Sequence, residues 1–123
     1  VNSLFKKISI ALIAMFAVVG LAACAPAQPI DMSKVTSVID VRTASEYAAG
    51  HLQGAVNIDV ESATFTEEIT KLDKAGTYVL YCHSGKRAGV AKDTMTGLGF
   101  TNVTNAGGYA DASDATKLPI VAN

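Results

Sequence analysis

Apolar positions divide the chain into one long, mostly apolar block and a series of short runs separated by polar turns. The block fills residues 1–23. Beyond it, Ser37-Val38-Ile39-Asp40-Val41 is a β-branched run of the kind a buried parallel strand needs. Thr43-Ala44-Ser45-Glu46 has capping-box spacing and opens a short helix that Gly50 stops. Ala55-Val56-Asn57-Ile58 predicts a second strand. Thr64 and Glu67 offer another capping box, after which Phe65, Ile69 and Leu72 share one helical face up to Gly76. Tyr78-Val79-Leu80-Tyr81 is the strongest strand candidate. A tight loop around Gly85 follows. Ala88, Ala91, Met95 and Leu98 then recur at helical spacing until Gly97 and Gly99, and Asn102-Val103-Thr104 predicts a last strand with Gly107-Gly108 beyond it. The tail after Asp114 carries no readable pattern.

Strands alternating with helices predict an α/β fold, with a mainly parallel central sheet flanked by helices. Ligands of such folds sit beyond the carboxyl ends of the strands. Asp40, Cys82 and Asn105 each occupy such an end.

Composition sharpens the picture in three places. A length of 123 residues holds one globular domain and a targeting segment. A formal charge of −1 excludes a broad basic surface for nucleic acid. Charged residues at 17% and only three prolines exclude a disordered acidic or proline-rich chain.

The apolar block is a segment apart. It holds 17 apolar residues among 23, and Lys6 and Lys7 precede an uncharged run of 13 residues, Ile8 to Gly20. A membrane-spanning helix needs about 20. A basic start, a short apolar stretch and then small residues read as a secretory signal. A buried N-terminal helix is the competing reading, but no face of the run is polar. Leu21-Ala22-Ala23-Cys24 resembles the lipobox of bacterial lipoproteins. That resemblance implies a leader at 1–23, cleaved before Cys24, whose thiol takes the lipid. The tether then spans 24–36 and the folded domain 37–123. An ordinary cleavage site with a bystander cysteine is the blander alternative. The lipoprotein resemblance, with non-acidic Ala25 after the cysteine, implies the periplasmic face of the outer membrane in a bacterial cell envelope. Val1 is expected to reflect a GUG start. Without Lys6 and Lys7, eight basic residues face eleven acidic ones, a charge of −3. Two or more acyl chains anchor stably where one does not.

Cysteine usage now narrows the chemistry. Two cysteines are too few for a disulfide-stapled miniprotein or a four-cysteine zinc site. With Cys24 consumed by lipid, Cys82 stands alone in a compartment that oxidises thiols. It is either buried and inert or present for its reactivity. Tyr81-Cys82-His83-Ser84-Gly85-Lys86-Arg87-Ala88 ends a strand and starts a helix. Such a loop can aim successive backbone amides at the sulfur, the helix N-terminus adds partial positive charge, and Lys86 and Arg87 add whole charges. Each favours a nucleophilic thiolate.

Two stretches together resemble the single-domain rhodaneses, which are sulfurtransferases. One is Val38-Ile39-Asp40-Val41-Arg42 through Glu46-Tyr47, Gly50-His51-Leu52, Gly54-Ala55 and Asn57-Ile58. The other is the loop from Cys82 to Arg87, with Gly107-Gly108 downstream. They span roughly residues 37 to 115. The resemblance implies a sulfur relay. Cys82 takes the outer sulfur of a small anionic donor such as thiosulfate, and a cyanide, a thiol or a protein acceptor removes it. No cofactor and no metal is implied, because the sulfur travels covalently. His83, Ser84, Gly85, Lys86 and Arg87 would hold the persulfide, chiefly through backbone amides. Arg87 would close the loop and Lys86 would draw in the donor.

The four residues between Cys82 and Arg87 enclose a smaller object than the five-residue loops of related phosphatases and arsenate reductases. A module that displays a persulfide or docks a partner without turnover is the other alternative. Asp40, Arg42, Glu46, Gly107 and Gly108 are expected to support the site. Asp40 either caps the loop or satisfies amides at its own strand end. Arg42 and Glu46, four apart, are expected to pair across the first helical turn. His51 is expected to be packed and hydrogen-bonded, and His83 to shape access. Gly107 and Gly108 would permit a close backbone approach. The family commonly has a further strand and helix ahead of the Asp-Val-Arg stretch, where only Ile30 to Thr36 remain here. It also has a Trp after the glycine pair, whereas Tyr109 stands here.

Overall fold

The structure, a computed structural model, describes residues 28–122. The expected leader at 1–23 and residues 24–27 of the expected tether, Cys24 among them, lie outside them. A single 3₁₀ turn, Met32–Lys34, precedes β1 (Ser37–Asp40). Then come α1 (Ala44–Ala49), β2 (His51–Leu52), β3 (Val56–Asn57) and α2 (Phe65–Thr70). β4 (Thr77–Cys82), α3 (Lys86–Gly97), β5 (Asn102–Gly108), α4 (Tyr109–Thr116) and β6 (Ile120–Val121) complete the described chain. The main sheet runs β3-β1-β4-β5 with every pair parallel. β2 and β6 form a separate antiparallel pair.

Helices cover both faces of the sheet, which is why its central strands read as unbroken apolar runs. In β4, Tyr78, Leu80 and Cys82 join one core with Ile39, Phe65, Ile69, Ala88, Ala91 and Met95. Val79 and Tyr81 join the opposite core with Val38, Leu52, Ala55 and Ala112. This two-residue alternation sends Cys82 to the α3 side. Each fully buried Leu, Ile or Met contributes about 1.5–3 kcal/mol of burial free energy.

The structure changes four sequence expectations. Thr64 makes no capping bond at the start of α2; its hydroxyl turns to Glu68 at 3.2 Å, because its backbone (φ −95°, ψ 2°) is not that of a cap. The strand predicted at Asn102–Thr104 runs on to Gly108, so the glycine pair belongs to it. The unread tail forms the end of α4 and β6. Residues expected in a tether belong to the fold instead: Ile30, Met32 and Val35 pack on the second core, and the Ile30 amide donates to the Ala115 carbonyl at 2.9 Å.

Candidate active site

Cys82 closes β4 and Lys86 opens α3, so three residues turn the chain. Gly85 makes that turn possible at φ +93°, a left-handed conformation that side chains disfavour. Its amide donates to Cys82 Sγ at 2.9 Å. Gly89 is the first amide of α3 to find a carbonyl, that of Gly85, at 3.0 Å. The amides of Lys86, Arg87 and Ala88 therefore open the helix without partners inside it. Its positive end faces the loop.

Two features depart from a ring of amides around an open thiol. One amide, Gly85, bonds the sulfur among the described residues, and Cys82 is 0% exposed. The reason is the alternation of β4, which drives the side chain into the core beside Ala88 and Ala91. His83, Ser84 and Lys86 are exposed over it.

Two ion pairs form here, one at the end of β1 and one reaching the loop, and neither is the predicted Arg42–Glu46 pair. Arg42 binds Asp40 instead: its Nε donates at 3.0 and 3.1 Å and its Nη2 at 2.6 Å. Both side chains are buried. α1 starts only at Ala44, so Arg42 lies ahead of the helix and shares no helical face with Glu46. Asp40 also accepts the Arg42 amide at 2.9 Å, the strand-end role, and among the described residues makes no hydrogen bond to the Cys82–Arg87 loop. Its hydrogen bond holds the Arg42 guanidinium charged more firmly than usual. Arg42 Nη2 reaches the Gly50 carbonyl as well, at 2.6 Å. Asn57 Nδ2 ties the carbonyls of Asp40 and Arg42 at 3.1 and 2.9 Å.

Glu46 is thereby free to reach across to α3. Its two carboxylate oxygens accept from Arg87 Nη1 and Nη2 at 2.7 and 3.0 Å. The same carboxylate completes the Thr43 capping box. The Arg87 hydrogen bonds, aided by Thr43, pull the Glu46 carboxyl down to about 2. Glu46 chiefly, and the nearby Cys82 sulfur to a smaller extent, push Arg87 above the usual guanidinium range.

Beside the loop, Tyr109 stands where the sequence resemblance implies a Trp. Its ring centroid lies 5.1 Å from the Arg42 guanidinium and 5.7 Å from the His83 ring. A Cβ on Gly85 would come within 3.0 Å of Gly107 Cα, and one on Gly108 would collide with the His83 carbonyl. The glycine pair of β5 thus lies directly against the loop. His51 is packed as expected, stacked on Tyr47 at 3.8 Å and bonded to its carbonyl. Among the described residues, no group of three His, Cys, Asp or Glu side chains could hold a metal ion. An open cavity of about 240 Å³ is lined in part by Arg42, Glu46 and Tyr109 and does not include Cys82. A larger one, about 480 Å³, flanks β5 and does not include Cys82. Asn105, noted in the sequence only for its strand-end position, bonds both Gly85 and Gly107. The Asn-x-Gly spacing, typical of a side chain bonding an amide two residues on, was the available signal.

Comparison with known proteins gives a consistent answer. A family model described as "Rhodanese-like domain" matches residues 27–115. The chain is 38% identical over 73 residues to thiosulfate sulfurtransferase PspE of Escherichia coli (strain K12), covering 59% of this chain and 70% of that one. It is 31% identical over 78 residues to thiosulfate:glutathione sulfurtransferase of Saccharomyces cerevisiae, covering 54% and 56%. A solved structure titled "rhodanese with anions from E. coli" aligns with a TM-score of 0.58 at 34% identity, covering 71% of this chain and 98% of that one.

Proposed function

Because the chain belongs to the rhodanese-like domain family and is a rhodanese-type sulfurtransferase, we propose that it moves a sulfane sulfur through a persulfide on Cys82. The donor is a small anion such as thiosulfate, and the acceptor is cyanide, a small thiol or a protein thiol. The Cys82 thiolate attacks the outer sulfur of thiosulfate. The sulfur–sulfur bond breaks, and sulfite leaves with the bonding pair. Cyanide then attacks the outer sulfur of the persulfide, and thiocyanate leaves as the thiolate returns. Electrons balance without a further reductant or oxidant.

The observation that carries this reading is the Gly85 amide 2.9 Å from Sγ at the head of a 12-residue helix. A donor amide and the helix N-terminus both stabilise negative charge on sulfur. The Glu46–Arg87 pair holds the loop closed at its far end. Arg42 and Arg87 both spend charge on carboxylates, which leaves Lys86 as the loop's cation for drawing in the donor. Turnover of thiosulfate and cyanide by wild type, lost in Cys82→Ala, is the expected result. No turnover by folded wild type would refute it. The sealed thiol favours a second reading, a binding module without turnover. Partner binding kept in Cys82→Ser, with an inactive wild type, would mark that case.

We also propose that residues 1–23 are a leader and that lipid on Cys24 holds the domain at the periplasmic face of the outer membrane. Radiolabelled palmitate incorporated by wild type and not by Cys24→Ser is the expected outcome. Equal labelling would refute it.

A further inference from the structure

The amide that reaches the sulfur belongs to Gly85, and Gly85 is itself held from outside the loop. Asn105 Nδ2 donates to the Gly85 carbonyl at 2.9 Å, and Asn105 Oδ1 accepts the Gly107 amide at 2.9 Å. One side-chain amide thus fastens the loop to β5, 20 residues away in sequence. It does so where the two backbones nearly touch, since a Cβ on Gly85 would lie 3.0 Å from Gly107 Cα. Gly85 also accepts the first helical bond of α3, from Gly89. Removing Asn105 therefore leaves the helix its own bond and takes away the side-chain tie between Gly85 and β5.

We propose that Asn105 is a positioning residue for sulfur transfer: its carboxamide clamps left-handed Gly85 to β5 and so keeps the Gly85 amide aimed at Cys82 Sγ. The chemistry requires Asn at this place. The Gly85 carbonyl needs a donor and the Gly107 amide needs an acceptor, and a carboxamide supplies both from one planar group. Asp supplies only the acceptor. Small displacements at a reacting centre are costly, with about 1 Å worth up to a hundredfold in rate. Asn102, on the same strand and exposed, has a single side-chain hydrogen bond among the described residues, to Thr101 at 3.4 Å, and serves as the neutral position.

The inference rests on the sulfur-transfer reading, so its test combines kinetics with a measurement that needs no sulfur chemistry. Wild type, Asn105→Ala, Asn105→Asp and Asn102→Ala are compared by hydrogen exchange and by thiosulfate:cyanide kinetics. In both Asn105 variants, exchange across residues 82–89 should quicken about tenfold, with residues 77–81 unchanged. kcat per folded molecule should fall about tenfold, with KM for thiosulfate within twofold of wild type. Asn105→Asp, which keeps the Gly107 bond, should be no better than Asn105→Ala. Asn102→Ala should match wild type throughout. Unchanged loop exchange overturns the clamp even if wild type proves inactive. Loop exchange that quickens while kcat per folded molecule holds overturns its role in transfer. Recovery of wild-type behaviour in Asn105→Asp overturns the assignment to the Gly85 bond. If Asn105→Ala does not fold, the Asp variant carries both readouts. If neither folds, Asn105 is a fold residue and the proposal fails.

Discussion

Replacing Glu46 by Gln probes the ion pair that ties α1 to the start of α3. The Gln Oε1 can still accept from Thr43, so the capping box survives, while the charge and the second acceptor for Arg87 are lost. The carboxyl sits at about 2 in the fold against an ordinary 4.5, mainly because of Arg87. At about 1.4 kcal/mol per pH unit, that gap sets a ceiling of about 3 kcal/mol. The pair is partly open to water, with side-chain exposures of 25% for Arg87 and 31% for Glu46. Screening and side-chain entropy reduce such a pair to about 1 kcal/mol. Thermal melts followed by circular dichroism should show Glu46→Gln melting about 4–8 °C below wild type at pH 7. Because folding depresses this carboxyl, its contribution is complete above pH 4.5 and fades as pH falls towards 2. The gap between the two proteins should therefore close across that window, and also narrow in high salt. Equal melting temperatures at pH 7, or a gap that ignores pH, would refute the reasoning.

Three further substitutions probe the scaffold. Asp40→Asn leaves the buried Arg42 guanidinium without its counter-charge and should cost about 3–5 kcal/mol in denaturant unfolding. Tyr81→Phe removes the hydroxyl that accepts the Leu52 amide at 3.0 Å, leaving a buried donor unpaired at a cost of about 1–3 kcal/mol. Burial also pushes the Tyr81 hydroxyl well above the tyrosine range, so ultraviolet titration should find it un-ionised at pH 11, a high-pH reading of order one unit above an ordinary tyrosine. Gly108→Ala drives a methyl into the His83 carbonyl and should cost about 1–3 kcal/mol and most of the turnover, read by melts and by kcat.

What the sequence disclosed depended on how local each signal was. β4 and α3 were legible because their own side chains fill the cores: Tyr78 to Tyr81 as an apolar run, and Ala88, Ala91 and Met95 as a stripe. The second half of β5, Asn105 to Gly108, was not, because an edge strand of Asn, Ala and Gly has no β-branched pattern to show. α4 buries only two alanines and a threonine, too little for a stripe, and β2 and β6 have two residues each. The Thr43–Glu46 capping box was visible, yet the partner of Glu46 lies 41 residues away and appears only once the sheet brings α1 and α3 together. The candidate nucleophile and its loop stood out by spacing. The seal over the sulfur and the Asn105 clamp arise from tertiary contacts that spacing does not encode.

Intact mass of the folded protein after exposure to thiosulfate tests the central claim most directly. Wild type should gain one sulfur atom, lose it on adding cyanide, and Cys82→Ser should gain none. A wild type that stays unmodified, or a Cys82→Ser variant that carries the same adduct, would contradict the account.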